Sequence, residues 1–161
     1  MTSTEASPST ADAIVIRRAT AADGEAIGDV WLGSWRATFE FPPAHPDDDV
    51  RRWLRDEMLP SHETWVAADR AADRVVALMA LTESMVAHLY VAPDWIGHGV
   101  GRRLLGVAKD RRPIGLELYC FQANGRARRL YERNGFEPVA FGDGSGNMER
   151  QPDVLYRWAP G

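Results

Sequence analysis

The sequence predicts a mixed α/β fold, a mixed sheet with helices packed on its faces. Three observations carry this reading. Ile14 and Ile16 alternate with Val15 and Arg17, the period-two pattern of a short strand. Ile27, Val30, Trp31, Ser34 and Trp35 recur at helical spacing. The whole order then reads strand, two helices, three antiparallel-looking strands, helix, strand, helix and two strands.

Each element has a local reason. Thr20 followed by Asp23 resembles a capping box with Asp in the usual Glu or Gln place, and it opens the first helix. Phe41-Pro42-Pro43 stops that helix near Phe39. After Pro46 a second helix carries Val50, Trp53, Leu54 and Met58 on one face, and Asp47, Asp48 and Asp49 suit its positive N-terminal end. Thr64–Ala68 and Arg74–Leu81 flank a polar turn from Asp69 to Asp73, which reads as a hairpin, and Met85–Val91 is the next strand. Glycines from Gly97 to Gly101 run into a helix through Leu104, Leu105, Val107 and Ala108. Ile114–Phe121 is a strand after Pro113, and Ala123–Asn134 is a helix stopped by Gly135 in a left-handed conformation. Phe136–Phe141 and Val154–Trp158 are the last strands, joined by a polar, Gly-rich loop from Gly142 to Pro152.

The chain has 161 residues, a length that suits a single domain with one core. Residues 1–12, rich in Ser, Thr and Ala, read as a flexible leader rather than a signal peptide, and residues 13–161 as the domain. A net charge of −4 argues against nucleic acid or an anionic membrane as partner, since both favour a basic surface. No apolar run approaches the roughly 20 residues that span a bilayer. The lone Cys120 excludes an intrachain disulfide, and a reducing cytoplasm is the expected location.

The most informative segment is Leu89-Tyr90-Val91 through Ile96-Gly97-His98-Gly99-Val100-Gly101-Arg102-Arg103. A strand feeds a glycine-spaced turn, and the turn opens a helix whose first N–H groups suit a pyrophosphate. A P-loop would need Gly-Lys-Ser or Gly-Lys-Thr, where this chain has Gly101-Arg102-Arg103. A dinucleotide fingerprint would need a third glycine at Arg102 or Leu104.

The spacing resembles the acetyl-CoA signature of the GNAT superfamily of N-acetyltransferases, Arg/Gln-x-x-Gly-x-Gly/Ala, with Gly99 and Gly101 as its glycines and Ile96 where the family has Arg or Gln. A second block, Asn124-x-x-Ala127-x-x-Leu130-Tyr131-x-x-x-Gly135-Phe136, is similar to the family's later motif and follows one helix and one strand later. Together the two cover Met85 to Phe141. The resemblance implies a mostly antiparallel sheet of about seven strands with helices on both faces and a central V-shaped splay. It implies acetyl transfer from acetyl-CoA to a primary amine by direct attack in a ternary complex, with no metal.

The resemblance also assigns residues. Backbone groups around Leu89, Tyr90 and Val91 would hold the pantetheine arm as an added strand does. Ile96, Gly97, His98, Gly99, Val100, Gly101 and Arg102, with Arg103, would wrap the pyrophosphate. Asn124 caps its helix or reaches a pantetheine amide. Arg126, Arg129 and Arg133 share a helix face, either solvated or against the 3′-phosphate. Tyr131 is the expected acid, because a phenol with a reference pKa of about 10 can donate to a departing alkyl thiolate. Glu117 and His88 are both candidates for the base, Glu83 is a further one, and a water chain is the alternative. Cys120 reads as a small buried hydrophobe.

Acceptor choice falls to the first helices and the last loop. Trp35, Phe39 and Phe41 are candidate acceptor contacts or, equally, core. The loop Gly142–Pro152 suits a pocket wall or the contact of a homodimer. A small-molecule amine is the expected acceptor, ahead of a protein lysine or N-terminus, and a non-catalytic CoA-binding sensor is a further alternative.

Overall fold

The computed structural model describes residues 10–161; positions 1–9 of the expected leader lie outside the described residues. A single helical turn, α1 (Thr10–Ala13), leads into β1 (Ile14–Arg18). Thr20 donates its N–H to Asp23 at 2.7 Å, and Arg17 grips the same carboxylate through both guanidinium nitrogens at 2.8 Å. This fixes the start of α2 (Gly24–Thr38) on the end of β1.

Helix α3 runs over residues 47–61 as Asp47–Trp53, a π-helical stretch Leu54–Met58, and Leu59–Ser61. Val50, Leu54 and Met58 are buried as expected. Trp53 departs from that face: it is 36% exposed, with its ring edge-on to Trp31 at 5.9 Å.

Strands β2 (Glu63–Asp69), β3 (Arg74–Leu81) and β4 (Val86–Val91) follow. With β1 they form a four-stranded antiparallel sheet in sequence order. Val75 to Leu81 of β3 are all buried, the burial of a strand covered on both faces. The alternation of β4 shows what covers them. His88 and Tyr90 turn to Trp31 of α2, at ring separations of 4.8 and 4.3 Å. Val91 points the other way, to Gly101 in α4 (Val100–Arg111). Helices therefore pack on both faces.

Strand β5 (Leu116–Phe121), helix α5 (Gly125–Arg133), β6 (Glu137–Gly142) and β7 (Asp153–Trp158) complete the fold. The second sheet has the order β5-β7-β6, all antiparallel, so β7 inserts between its predecessors. The strand expected from Ile114 begins at Leu116. Pro113 to Gly115 form a turn closed by the Gly115 N–H on the Arg112 carbonyl at 3.3 Å, which leaves Ile114 91% exposed. Phe136 is a fully buried core residue ahead of β6 rather than part of it. No helix among the described residues is long and apolar enough to cross a membrane.

Candidate active site

The two sheets meet at one end and diverge. Met85 and Glu117 form an isolated parallel bridge, and the Glu117 N–H donates to the Ser84 carbonyl at 2.9 Å. Beyond it β4 and β5 share no ladder among the described residues. The Ala92 N–H donates to the Val76 carbonyl at 2.7 Å, so residues of that parity, Tyr90 and His88 included, spend their backbone groups on β3. Leu89 and Val91, of the opposite parity, present N–H and C=O to the gap, an unpaired strand edge inside the molecule. The gap is a cleft of about 1150 Å3 walled by β4, the glycine turn, α4, β5, α5 and the β6–β7 loop.

The glycine turn is built as the sequence requires, with unequal roles. Gly97 and Gly99 adopt left-handed backbone, φ 85° and 79°, and a Cβ on either would meet nothing. Their need is conformational. A Cβ on Gly101 would instead lie 2.9 Å from Leu130 Cδ2, so this glycine lets α4 approach α5. Gly99 caps α4 without a side chain, and the Arg103 N–H is the one that bonds the Gly99 carbonyl, at 3.2 Å. The N–H groups of Val100, Gly101 and Arg102 precede the helical ladder and open on the cleft, where the helix end is positive. Ile96 lines the cleft in extended backbone. Arg102 lines it as well. Arg103 corrects an expectation: its guanidinium donates to the Ile14 carbonyl at 3.3 Å, on the side of β1. His98 packs against Trp95, ring centroids 5.6 Å apart, and is not part of the lining.

From α5, Tyr131 reaches the cleft with only 7% of its surface exposed. Its hydroxyl has no hydrogen-bond partner among the described residues. The neighbouring Tyr156 is different: its oxygen accepts from Arg128 at 2.9 Å and its hydroxyl faces Glu132 at 3.3 Å. Burial, then the nearby Cys120 and Tyr90, push the Tyr131 phenol well above its ordinary pKa, so it stays protonated. Cys120 also lines the cleft; burial raises its thiol to about 12, which keeps it neutral. Asn124 caps α5, accepting the Ala127 N–H at 3.2 Å, and borders the cleft as well. Arg126 and Arg133 line the cleft, whereas Arg129 of the same face does not.

The base candidates are separated. His88 lines the cleft among Trp31, Trp53 at 5.4 Å and His62 at 6.0 Å. Burial, with a smaller effect of His62, lowers it to about 4, so its imidazole is neutral near pH 7. Glu117 does not border the cleft: it pairs with Arg157, its cross-strand partner on β7, at 3.6 Å. Glu83 is exposed on the turn before β4 and is likewise outside the lining.

Of the aromatic candidates, Phe39 lines the cleft. Trp35, 4% exposed, donates its ring N–H to the Phe41 carbonyl at 2.9 Å, and Phe41 stacks on Phe39 at 4.8 Å. Trp35 and Phe41 thus hold Phe39 in place. Tyr119 and Phe121 of β5 were not singled out for this wall, yet both line it, and Phe121 meets Phe39 edge-on at 5.3 Å. Their period-two spacing with Glu117 was the available signal. The β6–β7 loop contributes Gly142 to Asn147 and Asp153. It is held by the Asn147 amide, which donates to the Gln151 carbonyl at 2.8 Å and to Asp153 at 3.2 Å, and by Gln122, which donates to the Gly142 and Asp153 carbonyls. Among the described residues no group of three or more His, Cys, Asp or Glu is placed to hold a metal ion.

Comparison with known proteins agrees with this geometry. The profile of the acetyltransferase (GNAT) domain matches residues 60–138. The chain is 32% identical to the peptidyl-lysine N-acetyltransferase YjaB of Escherichia coli (strain K12) over 124 residues, 77% of this chain and 82% of the relative. It is 28% identical to the peptidyl-lysine N-acetyltransferase YiaC of the same strain over 126 residues, 78% of this chain and 84% of that one. The solution structure of apo YjaB superposes with a TM-score of 0.75 at 27% identity, covering 92% of this chain and 99% of that chain. The PaiA N-acetyltransferase of Thermoplasma acidophilum, solved in complex with coenzyme A, shares the fold, with a TM-score of 0.70 at 18% identity over 91% of this chain and 99% of that chain. With an opened sheet, a left-handed glycine turn and both sequence blocks facing one cleft, the chain belongs to the GNAT family of acetyltransferases.

Proposed function

We propose that residues 13–161 form an acetyl-CoA-dependent N-acetyltransferase domain that acetylates the ε-amine of a peptidyl lysine. The Tyr131 hydroxyl, without a hydrogen-bond partner among the described residues and lining the same cleft as the first turn of α4, which no side chain caps, carries the acetyl-transfer part of this reading. The residues present fit acetyl-CoA. Leu89 and Val91 offer a strand edge to the amides of the pantetheine arm. The first-turn N–H groups of α4, with Arg102, suit the pyrophosphate, and Arg126 and Arg133 suit the remaining phosphate. Ile96 brings no charge, so the phosphate contacts rest on backbone N–H groups and arginines.

The chemistry follows from what these groups can do. A neutral amine attacks the thioester carbonyl, the nitrogen–carbon bond forms, and the carbon–sulfur bond breaks. Tyr131, protonated at every physiological pH, hydrogen-bonds the departing sulfur and can supply its proton. The proton lost by the amine leaves through water along the open side of the cleft. Neither Glu117, paired with Arg157, nor His88, held neutral by burial, is placed as a strong single base.

The lysine acceptor is favoured by the Escherichia coli relatives, which carry that name. A small-molecule amine is the second reading, favoured by the aromatic side chains Phe39, Tyr119 and Phe121 and the clamped β6–β7 loop, which line the cleft. The neutral lone thiol and the acidic net charge suit a cytoplasmic protein that does not seek nucleic acid. The test is calorimetry with acetyl-CoA, followed by CoA release with Nα-blocked lysine peptides and a panel of free amines. Tight acetyl-CoA binding and peptide-dependent CoA release are expected. Absence of acetyl-CoA binding would overturn the donor assignment, and release with free amines alone would move the acceptor to the second reading.

A further inference from the structure

Two phenols whose hydroxyls have no hydrogen-bond partner among the described residues line this cleft, and the proposed reaction uses one of them. Tyr131 stands on α5 and Tyr90 on β4. The position of Tyr90 in the strand suggests a backbone contact to pantetheine, but its backbone groups are turned to β3. The side chain is what reaches the site.

That side chain is held firmly. Its ring lies on Trp31 of α2, centroids 4.3 Å apart and planes inclined by 35°. Trp31 is itself 8% exposed and packs on His88 and Trp53, so the platform beneath Tyr90 is part of the core. The hydroxyl has no hydrogen-bond partner among the described residues, unlike that of Tyr156. The ring sits on the α2 side of β4, the face opposite Val91 and the glycine turn, and Tyr90 lines the cleft near Tyr131. Burial and the charge of Glu149 on the β6–β7 loop both favour its protonated form. A neutral phenol there donates one hydrogen bond and accepts another, and it neither repels nor traps a charged ammonium.

We propose that the Tyr90 hydroxyl positions the acceptor, taking a hydrogen bond from the attacking nitrogen while Tyr131 serves the sulfur. Tyr90 is thereby an acceptor-contacting residue, and Trp31 is the positioning residue that fixes its ring. The inference rests on the acetyltransferase reading above.

The probe is a bisubstrate conjugate in which CoA is joined through an acetyl bridge to the Nε of an Nα-blocked lysine peptide. Its affinity is compared with that of CoA alone by calorimetry, for the wild-type chain and for Tyr90→Phe. The substitution keeps the ring on Trp31 and removes only the oxygen, so a thermal melt within a few degrees of wild type is expected. The wild-type chain should bind the conjugate more tightly than CoA. Tyr90→Phe should lose about tenfold on the conjugate with CoA affinity unchanged. Equal affinities of the wild-type chain for conjugate and CoA would overturn the proposal, as would an unchanged conjugate affinity in Tyr90→Phe. A parallel loss of CoA affinity would overturn it too, placing Tyr90 on the donor side. If the wild-type chain binds neither ligand, the acetyltransferase reading and this inference fall together. If it binds both and Tyr90→Phe alters nothing, that reading stands and this inference alone fails.

Discussion

Met85, one residue ahead of β4, bridges Glu117 of β5, the one strand pairing that joins the two sheets among the described residues, and the cleft begins there. The bridge is parallel and continues into no ladder among the described residues, so the two sheets part beyond it. The unpaired amides of Leu89 and Val91 should exchange with solvent faster than those of His88 and Tyr90, which face β3. Addition of CoA should slow Leu89 and Val91 selectively, as read by hydrogen exchange at single residues. Uniform protection along β4 before CoA is added would contradict the open edge.

Tyr131→Phe should leave CoA binding unchanged and lower kcat by about a hundredfold under conditions where chemistry limits the rate. The hydroxyl forms no hydrogen bond to the described residues, so its removal orphans no partner among them and stability should hold. Tyr156→Phe gives the contrast, because it strips a partner from Arg128 and Glu132 and should lower the melting temperature. Single-turnover kinetics with acetyl-CoA in both variants, beside thermal melts, separate the two.

The glycines of the turn should respond differently to alanine. Gly99→Ala meets no atom but forces a Cβ into left-handed backbone, at a cost of about 1–2 kcal/mol. Gly101→Ala is conformationally allowed in a helix yet drives its Cβ into Leu130, costing about 1–3 kcal/mol through displacement of α5. Adding Leu130→Ala should relieve Gly101→Ala and not Gly99→Ala. A double-mutant cycle on denaturant midpoints reads this coupling.

The donor half of the site was legible because two blocks impose local geometry that few sequences need. Gly97 and Gly99 are required for positive φ, and Asn124 and Gly135 bracket α5. The acceptor half was less so. Whether a side chain borders the cleft depends on which parity of β4 and β5 the splay exposes, and pairing partners distant in sequence decide that. Glu117 looked available on its strand, but β7 inserts beside β5 and brings Arg157 against it. Arg103 sits in the right motif, yet the helix turn carries it to the Ile14 carbonyl, a contact with no local signal. The motif speaks to the backbone of Tyr90, whereas its ring is placed by Trp31, distant in sequence.

Glu63 joins β2 to the end of α4. It accepts from Arg111 at 2.8 Å, from the Trp65 ring N–H at 2.9 Å and from Arg112 at 3.4 Å. The Arg111 hydrogen bond leads, with Trp65 and the charges of Arg112 and Arg111 adding to it, and together they hold the carboxyl down at about 2 against the opposing cost of burial. A carboxyl with a depressed folded pKa stabilises the fold above its unfolded value, about 4.5, and loses that contribution as pH falls toward 2. Glu63→Gln should therefore cost about 1–2 kcal/mol at pH 7, a range that allows for solvent around the half-exposed Arg111. The gap from wild type should close between pH 4.5 and 2. Urea titrations of both chains across that window test it.

His88 gives the opposite kind of group with the same sign. Burial under Trp31 and Trp53, with His62 adjacent, lowers its folded pKa to about 4 from an ordinary 6.5. Between those values the unfolded chain binds a proton that the folded chain refuses, so stability rises with pH. Above pH 6.5 the neutral ring costs nothing extra; on acidification from 6.5 to 4 the fold should lose about 1–3 kcal/mol through this residue, and below 4 no more. His88→Phe keeps an aromatic ring against Trp31 and removes the titration, so it should flatten that part of the stability profile. NMR titration of the His88 ring protons supplies the direct check, and a midpoint near 6.5 would show that the ring is solvated rather than enclosed.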